Sequence, residues 1–125
     1  MKPFHYIDKN EPTSKLYRSL FASFPNSQIF ITSYANDGKE AVVHVSSDKL
    51  QGDFFLFNTE TFAAKFLASS APQIDPNKMA EMKPIQLTAR DGVELHGYLT
   101  LPTEKKDSYP LIVNPHGGPH GPRDQ

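Results

Sequence analysis

The sequence contains no cysteine, so disulfide bonds, thiolate metal sites and a cysteine nucleophile are excluded. It also lacks long apolar runs, and none approaches the roughly 18 residues that a membrane-spanning helix requires. The first eight residues have neither the apolar core nor the small-residue cleavage site of a signal peptide. We therefore expect no signal peptide and no membrane partner.

The sequence also has no large excess of positive or of negative charge. Thirteen basic and fourteen acidic residues give a formal net charge of -1. This balance does not indicate a broad electrostatic attraction to nucleic acid or to an anionic membrane. The 125 residues suffice for one modest domain or for parts of two larger ones, and the order of elements has to distinguish these cases.

Two periodicities divide the first half of the chain. Leu16, Leu20 and Phe24 recur at helical spacing between two prolines, which predicts a short amphipathic helix over 12–25. From residue 29 the period is two, and the residues are mostly β-branched or aromatic. The predicted strands cover 29–34, 40–46, 54–57 and 62–67. Four short strands with tight turns predict an antiparallel meander like one blade of a propeller, which alone would leave strand edges and apolar area in water.

Proline-rich sequence separates this meander from a second β region. Eleven prolines are present, and many of them lie within 72–84 and 102–122. The first cluster predicts a linker over 71–84. Strands are then predicted over 85–89 and 93–101, around an Arg-Asp-Gly turn in which Asp-Gly supplies the positive φ of a tight hairpin. A last short strand, 111–114, leads into a loop of glycine and proline.

The centre of that loop is His116-Gly117-Gly118-Pro119. Glycines leave the main chain bare, so peptide N–H groups can approach a ligand closely. A loop of this kind after a strand builds half of the oxyanion hole in several acyl-transfer enzymes. From spacing alone, an ordinary turn explains the two glycines equally well. His116 either orients the loop through hydrogen bonds or has a purely structural role.

Two other functions are weighed against structural explanations. His116 and His120 are four residues apart, but a Gly-Pro loop gives them no common helical face and no third ligand type lies nearby, so we expect no metal and no cofactor. Five phenylalanines are also candidates for stacking single-stranded nucleic acid: Phe54, Phe55, Phe57, Phe62 and Phe66. Because no basic groove accompanies them, packing of the sheet against its neighbours is the better explanation, and we expect no nucleic-acid partner.

The order of the motifs is the most specific pattern in the chain. A four-stranded meander and a proline-rich crossing precede the Ala-Arg-Asp-Gly hairpin at 89–92 and the segment Gly-Tyr-Leu-Thr-Leu-Pro at 97–102. The segment Pro-Leu-Ile-Val-Asn-Pro-His-Gly-Gly-Pro follows at 110–119. This order closely resembles the prolyl oligopeptidase family, and its acylaminoacyl-peptidase and dipeptidyl-aminopeptidase-like branch most of all. The resemblance covers nearly the whole chain and is strongest over 85–123.

The resemblance implies a serine peptidase that combines a β-propeller with an α/β-hydrolase domain. On that plan, residues 1–70 form the end of the propeller with its last blade, and 71–84 form the interdomain linker. Residues 85–125 form the first strands of a truncated α/β-hydrolase sheet. The fold expected for this fragment is thus mainly β, a four-stranded antiparallel blade followed by hydrolase strands.

For the site, the resemblance implies that backbone N–H groups of the loop hold the oxyanion, with Gly118 as the best match and Gly117 as the second. The chain contains no Gly-x-Ser-x-Gly, and the acid and base of the Ser-His-Asp triad are missing too. We therefore expect the chain alone to be inactive, the peptide substrate belonging to the full-length parent enzyme. The alternative is a non-catalytic β module that forms a homo-oligomer through exposed strand edges.

Overall fold

A computed structural model of the chain describes residues 5–115 and 117–118. In this part the protein has one α-helix, α1 (Pro12–Ser23), and a short 3₁₀ turn, Pro76–Lys78. The strands are β1 (Gln28–Tyr34), β2 (Glu40–Ser46), β3 (Asp53–Asn58), β4 (Ala64–Ser69), β5 (Met82–Thr88) and β6 (Glu94–Thr100). The first four form an antiparallel sheet in chain order, and β5 and β6 form a two-stranded sheet. The architecture is mainly β, as the sequence predicts.

Hydrogen bonds and a proline define the two ends of α1. The Glu11 carboxylate accepts a hydrogen bond from the Ser14 N–H at 3.0 Å, and Pro12 occupies the first turn, where its missing N–H costs nothing. At the other end, the Phe24 N–H donates to the Leu20 carbonyl at 2.9 Å. The predicted helix is therefore confirmed.

The hydrophobic core lies between α1 and one face of the four-stranded sheet. Strand β2 alternates buried and half-buried residues, so one of its faces is covered. The fully packed cluster consists of Leu16, Leu20, Ile29, Val43, Val45 and Phe57. Removing each such side chain from water contributes roughly 1.5–3 kcal/mol, and the helix and sheet therefore depend on each other for stability.

The turn between β3 and β4 is longer than the sequence predicts. The Asn58 side-chain oxygen accepts from the N–H groups of Glu60 at 3.0 Å and Thr61 at 2.7 Å. Phe62 then adopts a φ of 59°, which cannot continue a strand. Strand β4 consequently begins at Ala64, and the prediction of a strand from residue 62 is wrong by two residues.

Strand β5 begins three residues before the predicted position. It starts at Met82 and includes Pro84, which lies opposite Tyr98 of β6. A proline inside a strand is acceptable at a sheet edge because the missing N–H removes no hydrogen bond on the unpaired side. In the part that the structure describes, β5 pairs with β6 alone, so the proline does not break this hairpin.

The predicted strand at 111–114 is not formed. Residues 101–115 contain neither helix nor strand, and Leu111, Ile112 and Val113 are 79%, 89% and 75% exposed. The segment before them folds around Tyr109, whose hydroxyl accepts from the Lys106 N–H at 2.8 Å and donates to the Glu104 carbonyl at 3.0 Å. An apolar run becomes a strand only when it pairs with a neighbouring strand, and within the described residues this run pairs with neither β5 nor β6.

Candidate functional site

The two glycines predicted to hold an oxyanion lie at the end of the described chain. Gly117 and Gly118 are exposed and belong to no helix or strand. A Cβ on Gly117 would meet no atom within 4 Å, so the structure has room for a side chain at this position. His116, the third predicted site residue, lies outside the described residues, as do Pro119 and His120.

The exposure of this loop limits what the described residues can do chemically. A backbone N–H stabilises an oxyanion strongly where water is excluded and the donor is fixed in advance. The segment that leads to Gly117 and Gly118 is itself exposed, as the high accessibility of Ile112 shows. The described part of the chain thus presents two glycine peptides but encloses no reaction site around them.

The hairpin before the loop has a purely structural explanation. The Gly92 N–H donates to the Ala89 carbonyl at 3.0 Å, and the Ala89 N–H donates to the Val93 carbonyl at 2.8 Å. The Asp91 carboxylate accepts from the Val93 N–H at 3.2 Å, and Gly92 has a φ of 85°. The Asp-Gly pair therefore closes the turn between β5 and β6, as predicted.

The described histidines show no arrangement for binding a metal. His44 lies on β2 with its ring 4.9 Å from that of Phe54, and His96 is exposed on β6. Within residues 5–115 and 117–118, no three His, Asp or Glu side chains come together as a possible ligand set. The distance between His116 and His120 lies outside what the structure describes.

In the described part of the chain, Asp53 is the one acidic residue with a buried side-chain oxygen that has no hydrogen-bond partner. Its Oδ1 atom is buried and accepts no hydrogen bond. A general acid or base has to come within hydrogen-bond reach of a substrate, whereas this oxygen is closed to solvent. In this position the oxygen is not placed to act as a general acid or base.

Among the titratable groups of residues 5–115, Tyr34 is the one with a clearly shifted pKa. Burial raises the pKa of this phenol above its ordinary value of 10.0, and the nearby Tyr17 raises it further. The two tyrosines belong to β1 and α1, two of the elements that contribute residues to the core. A phenol displaced in this direction stays neutral at physiological pH, so it supplies no base for catalysis.

The five phenylalanines considered for nucleic-acid stacking do not share one face of the sheet. Phe55 and Phe57 point to the side covered by α1, where the Phe55 ring lies 4.7 Å from that of Phe24. Phe54 alternates with them and points to the opposite side, towards His44. A continuous stacking platform is therefore not formed by this set.

Two polar contacts between distant segments were not predictable from the sequence. The residue pair Asp48 and Lys49, after β2, contacts Glu81 and Met82 at the start of β5. More than thirty positions separate the partners, and charged residues in two loops carry no periodic signal. Only the folded arrangement brings them together.

The described residues include no helix long and apolar enough to cross a membrane. Comparison with known proteins gave no match, whether with protein-family models, with curated proteins or with solved structures. The fold and the loop geometry therefore have to be interpreted from the residues themselves.

Proposed function

We propose that this chain is part of a serine peptidase of the prolyl oligopeptidase family, in which the N–H groups of Gly118 and Gly117 stabilise the oxyanion. The observation that carries the proposal is the order of its parts. A four-stranded antiparallel meander comes first, then a hairpin that turns at 89–92, then the His-Gly-Gly-Pro sequence. In this proposal, residues 1–70 end a propeller, and 85–125 begin an α/β-hydrolase domain.

The chemistry of acyl transfer divides the site between this chain and the rest of the parent enzyme. The chain contributes oxyanion donors, which are typically worth about 2.7–4 kcal/mol of transition-state stabilisation each. The nucleophile, its base and the walls that exclude water come from elsewhere in the parent, because no Gly-x-Ser-x-Gly occurs among these 125 residues. Without a nucleophile the covalent route is missing, so the chain alone does not turn over peptide substrates.

The first test is the reading frame and the activity of its product. A continuation beyond Gln125 should encode a Gly-x-Ser-x-Gly within about a hundred residues, in the order typical of α/β-hydrolases. The full product should hydrolyse a peptidyl or aminoacyl p-nitroanilide and react with a fluorophosphonate, whereas the purified 125-residue chain should do neither. A long continuation without the motif, or turnover by the 125-residue chain alone, would contradict the proposal.

The second test addresses the two glycines in the full product. Replacing Gly118→Pro removes the donor N–H and should lower kcat about 10²–10³-fold. Gly118→Ala retains the N–H and is the matched control. Gly117→Ala adds a methyl group where the structure has open space, so it should leave the loop intact. Equal activity of the proline and alanine variants at Gly118 would exclude it as a donor.

A second candidate function is a non-catalytic β module that self-associates. It is favoured by the apolar residues that the described chain leaves exposed, above all Leu111, Ile112 and Val113. In the part of the chain that the structure describes, both sheets also end in strands that are paired on one side only. This function requires purified protein to form oligomers of defined mass, which light scattering measures; a monomer at all concentrations would exclude it.

A further inference from the structure

The hairpin of β5 and β6 buries neither of its faces in the described structure. Leu87 and Leu95 remain 57% and 48% exposed, and the least exposed position of β5, Ile85, is only half-buried. Apolar packing therefore does little to hold the hairpin against the four-stranded sheet. Its position depends on the connection over residues 70–81 and on polar contacts.

Two polar contacts link the hairpin to the turn between β2 and β3. The Asp48 carboxylate accepts a hydrogen bond from the Met82 N–H at 2.9 Å. The neighbouring Lys49 ammonium lies 3.2 Å from the Glu81 carboxylate. The two contacts are adjacent along both segments, and each of them depends on at least one charged group.

The turn that carries Asp48 and Lys49 is held in place by its own hydrogen bonds. The Ser47 hydroxyl accepts from the N–H groups of Lys49 at 3.2 Å and Leu50 at 3.1 Å. The Ser47 N–H in turn donates to the Leu50 carbonyl at 2.8 Å. Both charged side chains therefore extend from a fixed turn. Forming the two contacts then costs less conformational entropy than it would from a mobile loop.

A groove of about 810 Å³ lies between the two sheets at this point. Gln28 and Ser46 line it from the four-stranded sheet, and Pro84 and Tyr98 line it from the hairpin. The four residues of the two polar contacts form part of the same wall. Any movement of the hairpin away from the sheet breaks these contacts and changes the width of this groove.

We propose that Asp48 and Lys49 act as a charge-operated latch, which holds the β5–β6 hairpin against the four-stranded sheet and releases it when the charges are screened. The Debye length falls from about 30 Å at 0.01 M salt to about 3 Å at 1 M. At the higher salt concentration, the Debye length is about as short as the ion pair, so the salt weakens the attraction between its two charges. The side chains of Lys49 and Glu81 are 39% and 65% exposed, so salt reaches both of them.

The absence of cysteine makes a direct distance measurement possible, since two introduced cysteines are the only ones labelled. Ser33→Cys on β1 and Arg90→Cys at the hairpin turn place spin labels at exposed positions of the two sheets. At about 0.01 M salt, pulsed electron paramagnetic resonance should give a narrow distance distribution. At about 1 M it should shift and broaden. Identical distributions at both concentrations would overturn the proposal.

Charge variants identify the groups responsible. In the labelled chain, Asp48→Asn combined with Lys49→Gln should give the broad distribution at low salt and lose the salt response. Lys39→Gln is the matched control, because it removes a comparable ion pair with Glu60, at 3.1 Å, between two turns of the four-stranded sheet. Lys49→Glu alone should also broaden the distribution at low salt, and adding Glu81→Lys, which exchanges the two charges, should restore the narrow distribution. A double variant that stays narrow, or an exchange that stays broad, would refute the latch, with circular dichroism verifying that each variant is folded.

Discussion

Gly52 precedes β3 with a φ of 143°, and a Cβ at this position would overlap the Nε2 atom of His44. The imidazole of His44 is also in contact with the ring of Phe54, so it cannot move without losing that packing. Two independent effects therefore favour glycine here, a backbone conformation that L-residues avoid and a neighbouring side chain that fills the space.

We expect Gly52→Ala to destabilise the protein by about 1–3 kcal/mol, measured by urea denaturation. Gly38→Ala is the matched control, because Gly38 also has a positive φ of 71° but its Cβ would meet nothing within 4 Å. In a His44→Ala background, the stability lost in Gly52→Ala should fall towards the stability lost in Gly38→Ala. A Gly52→Ala variant as stable as the wild type would contradict both the backbone strain and the cost of the overlap with His44.

Helix α1 illustrates how an element depends on its partner. Its twelve residues are too few for a stable isolated helix in water, even with the Glu11 cap. Leu16 and Leu20 attach it to the covered face of the sheet, and Leu20 is completely buried. The helix therefore forms because the sheet offers Val43 and Phe57 as a surface to pack on.

Replacing Leu20→Ala should cost about 2–5 kcal/mol, because the methyl groups lost from the core leave a cavity under the helix. Leu101→Ala, at a position that is 46% exposed, removes the same atoms and should stay within about 0.5 kcal/mol of the wild type. Urea denaturation followed by far-ultraviolet circular dichroism gives both values. Equal losses for the two variants would mean that α1 does not depend on this contact.

Strands were predictable from the sequence where more and less buried residues alternate and a neighbouring strand pairs on each side. Strand β2 matches its predicted bounds, 40–46, because it lies between β1 and β3 and its residues alternate between a buried and a half-buried face. Strand β4 is displaced because the Asn58 side chain extends the preceding turn. Strand β5 is longer than predicted because a proline-rich sequence can still pair along one edge.

The candidate site was predictable only as a sequence pattern. The glycines at 117 and 118 do lie in a bare loop, as predicted, but the strand expected at 111–114 is absent. Strand propensity describes how well a residue fits a pleated surface, and it does not provide the neighbouring strand. The contact of Asp48 with Met82 was not predictable either, since it depends on where two distant loops meet.

At the scale of the whole molecule, apolar surface is distributed unevenly. The core lies beneath α1, whereas exposed apolar residues continue through the hairpin into the segment of Leu111, Ile112 and Val113. Exposed apolar segments beside unpaired strand edges favour association with another chain. The two proposals cover this surface differently, the first with the rest of a proposed parent enzyme and the second with another copy of this chain.

If the isolated chain associates through this segment, replacing Leu111, Ile112 and Val113 together with serine should raise the dissociation constant more than tenfold. Full burial of one such side chain contributes about 1.5–3 kcal/mol, and 1.4 kcal/mol corresponds to a factor of ten. Light scattering over a hundredfold range of protein concentration, roughly micromolar to submillimolar, measures the change. Replacing Lys105, Lys106 and Asp107 with serine alters as many residues of the same loop, and this control should retain the wild-type mass. A loss of association in both triple variants would point to a general disturbance of the loop, and no loss in either would place the contact on the strand edges instead.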